Sequence, residues 1–179
     1  MAEATGTLDL RDYVHDIPDH PKPGIVFRDL TPLFLDPAAL ERAGTLLATW
    51  ASERDVAYVV AAEARGFVLG GAVAARIGAG FVPARKPGKL PREAISVEYE
   101  LEYGLDALEV HSDALAGGAR VLVHDDLIAT GGTAEALCRL VESAGAEVAG
   151  CAFVVELAYL GGRARLGERE VHSLVSYEA

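Results

Sequence analysis

Apolar positions along this chain come in two rhythms, short unbroken runs and runs at helical spacing, and the two alternate. Leu10, Tyr13, Val14 and Ile17 recur at helical spacing, which predicts a short opening helix over Leu8 to Ile17, ended by Pro18, Pro21 and Pro23. Asp36 before Pro37 has the form of a helix N-cap followed by proline at the first helical position, and the helix it launches carries Leu40, Leu46, Leu47 and Trp50. Tyr58 to Ala62 then reads as a buried strand, Phe67 to Ile77 as a helix and Phe81 to Ala84 as a short strand. Arg120 to Asp125 is a further buried strand. Thr133 to Ala144 brings Ala134, Leu137, Cys138, Val141 and Ala144 onto one helical face, and Val148 to Val155 returns as a strand. Strands without polar alternation, separated by helices, predict an α/β fold with an open, mainly parallel sheet flanked by helices. The tail from Gly161 reads as a loop and a last edge strand, Val171 to Ser176.

One stretch breaks this rhythm. Val97, Tyr99 and Leu101 alternate with Glu98, Glu100 and Glu102 before a turn at Gly104, a hairpin signature. Its place between two α/β units predicts a protruding antiparallel flap outside the main sheet.

Composition narrows the function classes. With 179 residues, 51% of them hydrophobic and 24% charged, the chain matches one globular unit with its own core. Its longest apolar runs fall far short of the roughly 20 residues of a membrane helix. The first ten residues lack the basic start and apolar stretch of a secretory signal, so the cytosol is the expected compartment. A formal net charge of -11 argues against a nucleic-acid partner. Cys138 and Cys151 sit in apolar stretches without the close Cys or His neighbours of a zinc site and read as buried free thiols. Against the acidic background, Arg85, Lys86, Lys89 and Arg92 share one short segment free of acids, a pattern that suggests a phosphate site.

The strongest chemical signal is the thirteen-residue segment Val121 to Thr133: an apolar strand ending in Asp125 and Asp126, then Leu127-Ile128-Ala129-Thr130-Gly131-Gly132-Thr133 leading into a helix. Strand ends of this kind hold ligands in open α/β sheets. Gly131 and Gly132 let successive amides point at a phosphate, the hydroxyls of Thr130 and Thr133 add donors, and the helix contributes the positive end of its dipole. Two adjacent carboxylates at such a place make sense beside ribose hydroxyls and a sugar-bound magnesium ion. No Gly-Lys-Ser/Thr follows the glycines and no G-x-G-x-x-G pattern is present, which excludes a P-loop and a dinucleotide fingerprint. His124, just before the two acids, reads as a sheet histidine.

This segment resembles the phosphoribosyl pyrophosphate (PRPP) motif of the type I phosphoribosyltransferases, and four further segments resemble the adenine-specific members of that family. The first is Pro21 to Asp29, by itself a proline-braced loop, which resembles a base-binding hood. The resemblance implies that the base stacks on Phe27 while backbone groups around Val26 and Arg28 read the purine edge. The second is Glu63-Ala64-Arg65-Gly66, where the matching arginine grips pyrophosphate. The third is Arg85 to Pro91, by itself a solvated basic loop, which resembles a pyrophosphate-contacting loop that reaches a neighbouring subunit. That implies pyrophosphate binding by Arg85, Lys86 and Lys89, and a homodimer. Ser96 to Gly104, by itself a solvated strand face, resembles the mobile flap; the resemblance assigns Glu102 as acid/base group near the purine imidazole, with Tyr103 beside it. Taken together it implies one domain over residues 1–179, with a hood at about 8–35 and a flap at about 93–112. The implied reaction joins adenine to PRPP, giving AMP and pyrophosphate, with Mg2+ held mainly through PRPP and assisted by Asp125 and Asp126.

Three rival readings bear on the sequence, and the third fails on position. A phosphoribosyltransferase for hypoxanthine, guanine, uracil or orotate would share the loop but not the Val26 to Arg28 hood. A PRPP-sensing regulator on the same fold would carry an added DNA-binding domain. A phosphorylated receiver domain would place its acids after an early strand, whereas Asp125 and Asp126 follow a late one.

Overall fold

The computed structural model describes residues 8–100 and 105–179. A one-turn 3-10 helix, Leu10–Tyr13, leads into strand β1 (His15–Ile17), which pairs antiparallel with β2 (Phe27–Asp29). The opening segment is therefore not the continuous helix that its spacing predicts. Leu10 and Val14 both point into the core, but His15 onward finds its hydrogen-bond partners across the chain in β2 instead of along a helix.

Helices α1 (Thr31–Leu35) and α2 (Pro37–Ser52) follow. Asp36 caps α2 as its sequence implies, its Oδ1 accepting from the amides of Ala38 at 2.9 Å and Ala39 at 2.8 Å. Two α/β units come next: β3 (Tyr58–Ala62), α3 (Gly66–Ile77) and β4 (Gly80–Ala84), then β7 (Arg120–Ile128), α4 (Gly132–Ser143) and β8 (Glu147–Leu157). Between them lies the hairpin of β5 (Ala94–Glu100) and β6 (Leu105–His111); β9 (Val171–Tyr177) closes the chain. The main sheet is five-stranded and wholly parallel, in the order β4-β3-β7-β8-β9.

Both faces of this sheet are covered, which is why its strands read as unbroken apolar runs. Val60, Val121, Val123, Cys151 and Phe153 face a core shared with α4 and the hairpin, while Val59, Leu122, Ala152 and Val154 face α2 and α3. The described part of the hairpin is docked instead of protruding: Val97, Tyr99, Leu108 and Val110 are buried in the α4 layer, and Glu98 faces solvent. The alternation of β5 thus marks one covered and one wet face.

His124 is a fully buried sheet residue whose Nδ1 lies 2.8 Å from the Ala152 carbonyl. Burial pushes its pKa down to about 4, so the ring is neutral at physiological pH and bonds as a neutral donor. Cys138 and Cys151 are buried free thiols with Sγ atoms 3.6 Å apart, neighbours across the α4–β8 contact. No helix among the described residues is long and apolar enough to cross a membrane.

Candidate active site

In a parallel sheet every strand delivers its carboxyl end to one edge, and in this chain that edge collects the polar signals of the sequence. β3 leads into Glu63-Ala64-Arg65 and β4 into Arg85-Lys86, β7 carries Asp125 and Asp126 among its last four residues, and β8 ends at Leu157. Three adjoining cavities open there.

The first, of about 320 Å³, is formed by Asp125 to Ala134 and Arg65. Gly131 sits in the left-handed conformation (φ 84°) at the N-cap of α4, where no side chain caps the helix, so the first amides of the helix face the cavity without a protein acceptor from the cap. Asp125 and Asp126 form its floor. Gly66 lets Asp125 come close, since a Cβ at that position would lie 2.7 Å from Asp125 Oδ1. That Oδ1 accepts from the Asp126 amide at 2.9 Å.

Arg65 is the counter-charge. Its Nε lies 2.9 Å from Asp126 Oδ2, an ion pair between a half-exposed guanidinium and a carboxylate that is only 7% exposed. The pair lacks hydrogen-bond alignment, and Asp126 Oδ2 is left buried without a hydrogen-bond partner. Desolvation is the main cause that pushes both carboxyls above the usual range; the neighbouring Asp126 charge raises Asp125 further, and Arg65 offsets part of the rise. The site is thus short of positive charge and donors.

The second cavity, about 330 Å³, adjoins the first through Arg65, Asp125, Asp126 and Thr133 and is bounded by Lys86, Glu63 and the hairpin residues Tyr99 and Asp106. Lys86 Nζ is ion-paired with Asp106, whose Oδ2 also accepts from the Tyr99 hydroxyl at 3.2 Å. Arg85, predicted beside it, instead directs Nε to Glu63 Oε2 at 2.7 Å, and its backbone bridges to Glu109. Lys89 is exposed on the loop. Of the three cations predicted in this segment, only Lys86 lines the cavity.

The third cavity, about 470 Å³, is apolar. Val26 and Phe27 form one wall, and Leu127, Leu157, Tyr159 and Leu160 line the rest. Arg28 also lines this cavity, and its guanidinium is held by Asp16 and stacks 4.0 Å from the centre of the Tyr177 ring. Arg65 reaches here too, its Cζ 5.5 Å from the centroid of Phe27. Leu157, Tyr159 and Leu160 were not among the residues predicted from sequence, although the apolar stretch after the last buried strand lies at the edge where ligands bind. Glu102 and Tyr103 lie outside the described residues.

The geometry offers an anion-binding helix entrance, an acidic pair suited to hydroxyls or a cation, a second cationic recess, and an apolar slot for a flat ring. Comparison with known proteins matches this set. A model of the phosphoribosyl transferase domain aligns with residues 35–173. The adenine phosphoribosyltransferase of Methylococcus capsulatus is 58% identical over 168 residues, covering 94% of this chain and 98% of its own. The enzyme of the same name from Rubrobacter xylanophilus is 56% identical over 169 residues, 94% of this chain and 91% of its own. The chain belongs to the adenine phosphoribosyltransferase family. A crystal structure of the Thermoanaerobacter pseudethanolicus member superposes with a TM-score of 0.91 at 47% identity, covering 94% of this chain and 98% of that one. The activity is transfer of the phosphoribosyl group of PRPP to adenine, yielding AMP and pyrophosphate in purine salvage. Family membership decides among the alternatives that the sequence leaves open.

Proposed function

We propose that the reaction takes place where the three cavities meet, at Arg65. The observation that carries this reading is that Arg65 is the one described residue lining all three. The 5′-phosphate sits on the amides and hydroxyls of Ala129 to Thr133, at the start of α4. The ribose hydroxyls lie on Asp125 and Asp126, and pyrophosphate occupies the recess of Arg65 and Lys86. Adenine enters the apolar slot against Phe27, its edge read by main-chain groups of Val26 and Arg28. A neutral 6-amino purine needs no charged reader, which agrees with the Arg28 guanidinium being spent on Asp16 and Tyr177.

Bond making and breaking meet at the anomeric carbon. Adenine N9 bonds to it as its bond to the pyrophosphate oxygen breaks, the electron pair leaving with pyrophosphate. Arg65 and Lys86 stabilise the charge that accumulates on the leaving group, while the two acids stabilise the positive charge that builds on the ribose. Glu102 accepts the proton that the purine imidazole loses, with Tyr103 beside it, and the flap closes to keep water from the same activated carbon. Lys89, exposed on its loop, would serve a neighbouring subunit in a homodimer, and Arg85 becomes available to pyrophosphate if Glu63 releases it.

Magnesium fits this site as an ion carried by the substrate. Among the described residues no three His, Cys, Asp or Glu side chains converge as a cage, yet Asp126 Oδ2 is buried and unsatisfied. Asp125 and Asp126 would assist it, and the ion would supply neutralisation of the pyrophosphate charge. PRPP at about 100 times its Kd with magnesium should then raise Tm by roughly 5–10 °C. With a chelator present the rise should fall by more than half. Equal rises would remove the metal from the account, and no rise under either condition would remove the site.

A further inference from the structure

The turn after β8 touches the phosphate loop main chain to main chain. β8 ends at Leu157, a 3-10 turn covers Ala158–Leu160, Gly161 adopts the left-handed conformation (φ 67°) and a second 3-10 helix runs over Gly162–Leu166. A Cβ at Gly162 would lie 2.2 Å from the Ala129 carbonyl oxygen and 2.8 Å from the Gly131 amide nitrogen. Reciprocally, a Cβ at Gly131 would lie 2.4 Å from the Gly162 carbonyl oxygen. Ordinary contact begins at 3.4 Å, so all three distances are too short, and the atoms met are backbone with no flexible side chain to yield.

The turn is itself anchored. Arg163 grips Glu156 through two hydrogen bonds, Nε to Oε1 at 2.9 Å and Nη2 to Oε2 at 2.5 Å. Its Nη1 also donates to the Val171 carbonyl at 2.8 Å, and the Ser173 hydroxyl donates to Glu156 Oε2 at 2.8 Å. Leu166 is fully buried in the core beneath α4. The segment is thereby fastened to β8 and β9 on one side and abuts Ala129 and Gly131 on the other.

We infer that Gly162 is a positioning residue for PRPP: it sets the main-chain geometry of the Ala129–Gly131 loop through direct contact, and Arg163 with Glu156 holds it in place. This rests on the proposed reading of Ala129 to Thr133 as the phosphate loop. A glycine is required because the loop backbone occupies the space of any side chain. The turn also connects the two substrates, since Tyr159 and Leu160 line the apolar cavity just before it.

The test is steady-state kinetics on four variants, varying each substrate in turn. Gly162→Ala should raise the KM for PRPP by about 10- to 100-fold, the scale of an ångström-sized misplacement, with the KM for adenine changed less than threefold. Glu156→Gln, which loosens the anchor without a clash, should raise the PRPP KM about 3- to 10-fold and keeps the test alive if Gly162→Ala fails to fold. Gly167→Ala strains the far end of the same turn (φ 61°), where a Cβ meets nothing within 4 Å; it should lower Tm and leave both KM values unchanged. Thr133→Ala tests the loop itself and should raise the PRPP KM. A raised KM for Thr133→Ala with unchanged values for Gly162→Ala and Glu156→Gln would overturn the inference and leave the loop reading standing. Equal effects of Gly162→Ala and Gly167→Ala on PRPP, or equal shifts in both substrates' KM, would also overturn it. An unchanged value for Thr133→Ala would take down the loop reading and the inference together.

Discussion

Replacing Arg65 with alanine should lower kcat/KM for PRPP by about 30- to 300-fold. The side chain is an ion-pair partner of Asp126 and lies at the junction of all three cavities, so its loss acts twice. Pyrophosphate loses a donor fork, and two carboxyls already pushed upward by burial lose the charge that offsets the rise. Truncating one partner of a desolvated charged contact costs about 2–5 kcal/mol, and the half-exposed position of Arg65 places its share toward the lower part of that range. Arg65→Lys keeps the charge but not the planar fork, and should recover only about tenfold. Kinetics for an alanine variant within threefold of the parent would remove Arg65 from its role.

Glu102→Ala should lower kcat by about 10²- to 10⁴-fold, the usual worth of one general acid/base, while PRPP binding measured by titration stays within threefold. The split follows from the proposed roles: Glu102 serves the base, while phosphate, ribose and pyrophosphate are assigned to the cavities of Asp125 to Thr133, Arg65 and Lys86. Glu102→Gln should resemble the alanine variant, because an amide cannot take the imidazole proton. Unchanged turnover in either variant would remove Glu102 from the mechanism.

What the sequence made legible was local. Asp36-Pro37 announces its helix because cap and proline act within three residues, and the segment from Asp125 to Thr133 announces a glycine turn into a helix because strand end, turn and helix start are contiguous. The parallel sheet follows from apolar runs that alternate with helices. What stayed hidden depends on contacts distant in sequence. The opening segment shows helical spacing, yet pairing between His15 and Asp29 turns its second half into a strand, and no local signal carries that pairing. Leu157, Tyr159 and Leu160 read as apolar residues after a strand until β8 is placed beside β7, which turns them toward the cavity of Val26 and Phe27. Asp106 lies on the opposite side of the hairpin turn from the glutamates that draw the eye, and only the docking of the hairpin brings it to Lys86. The Gly131–Gly162 contact is of the same kind: each glycine reads as a local turn residue, and their shared lack of space appears only in three dimensions.

The central claim, a site that joins adenine to PRPP, is tested most directly by pyrophosphate release from PRPP and magnesium with adenine, hypoxanthine, guanine and uracil offered separately. Asp125→Asn serves as the blank. Turnover with adenine alone is the expected result, because an apolar slot at Val26 to Arg28, with the Arg28 guanidinium engaged by Asp16 and Tyr177, suits a neutral 6-amino purine. Turnover with another base in place of adenine would contradict the assignment of that slot, and no turnover with any base would contradict the account as a whole.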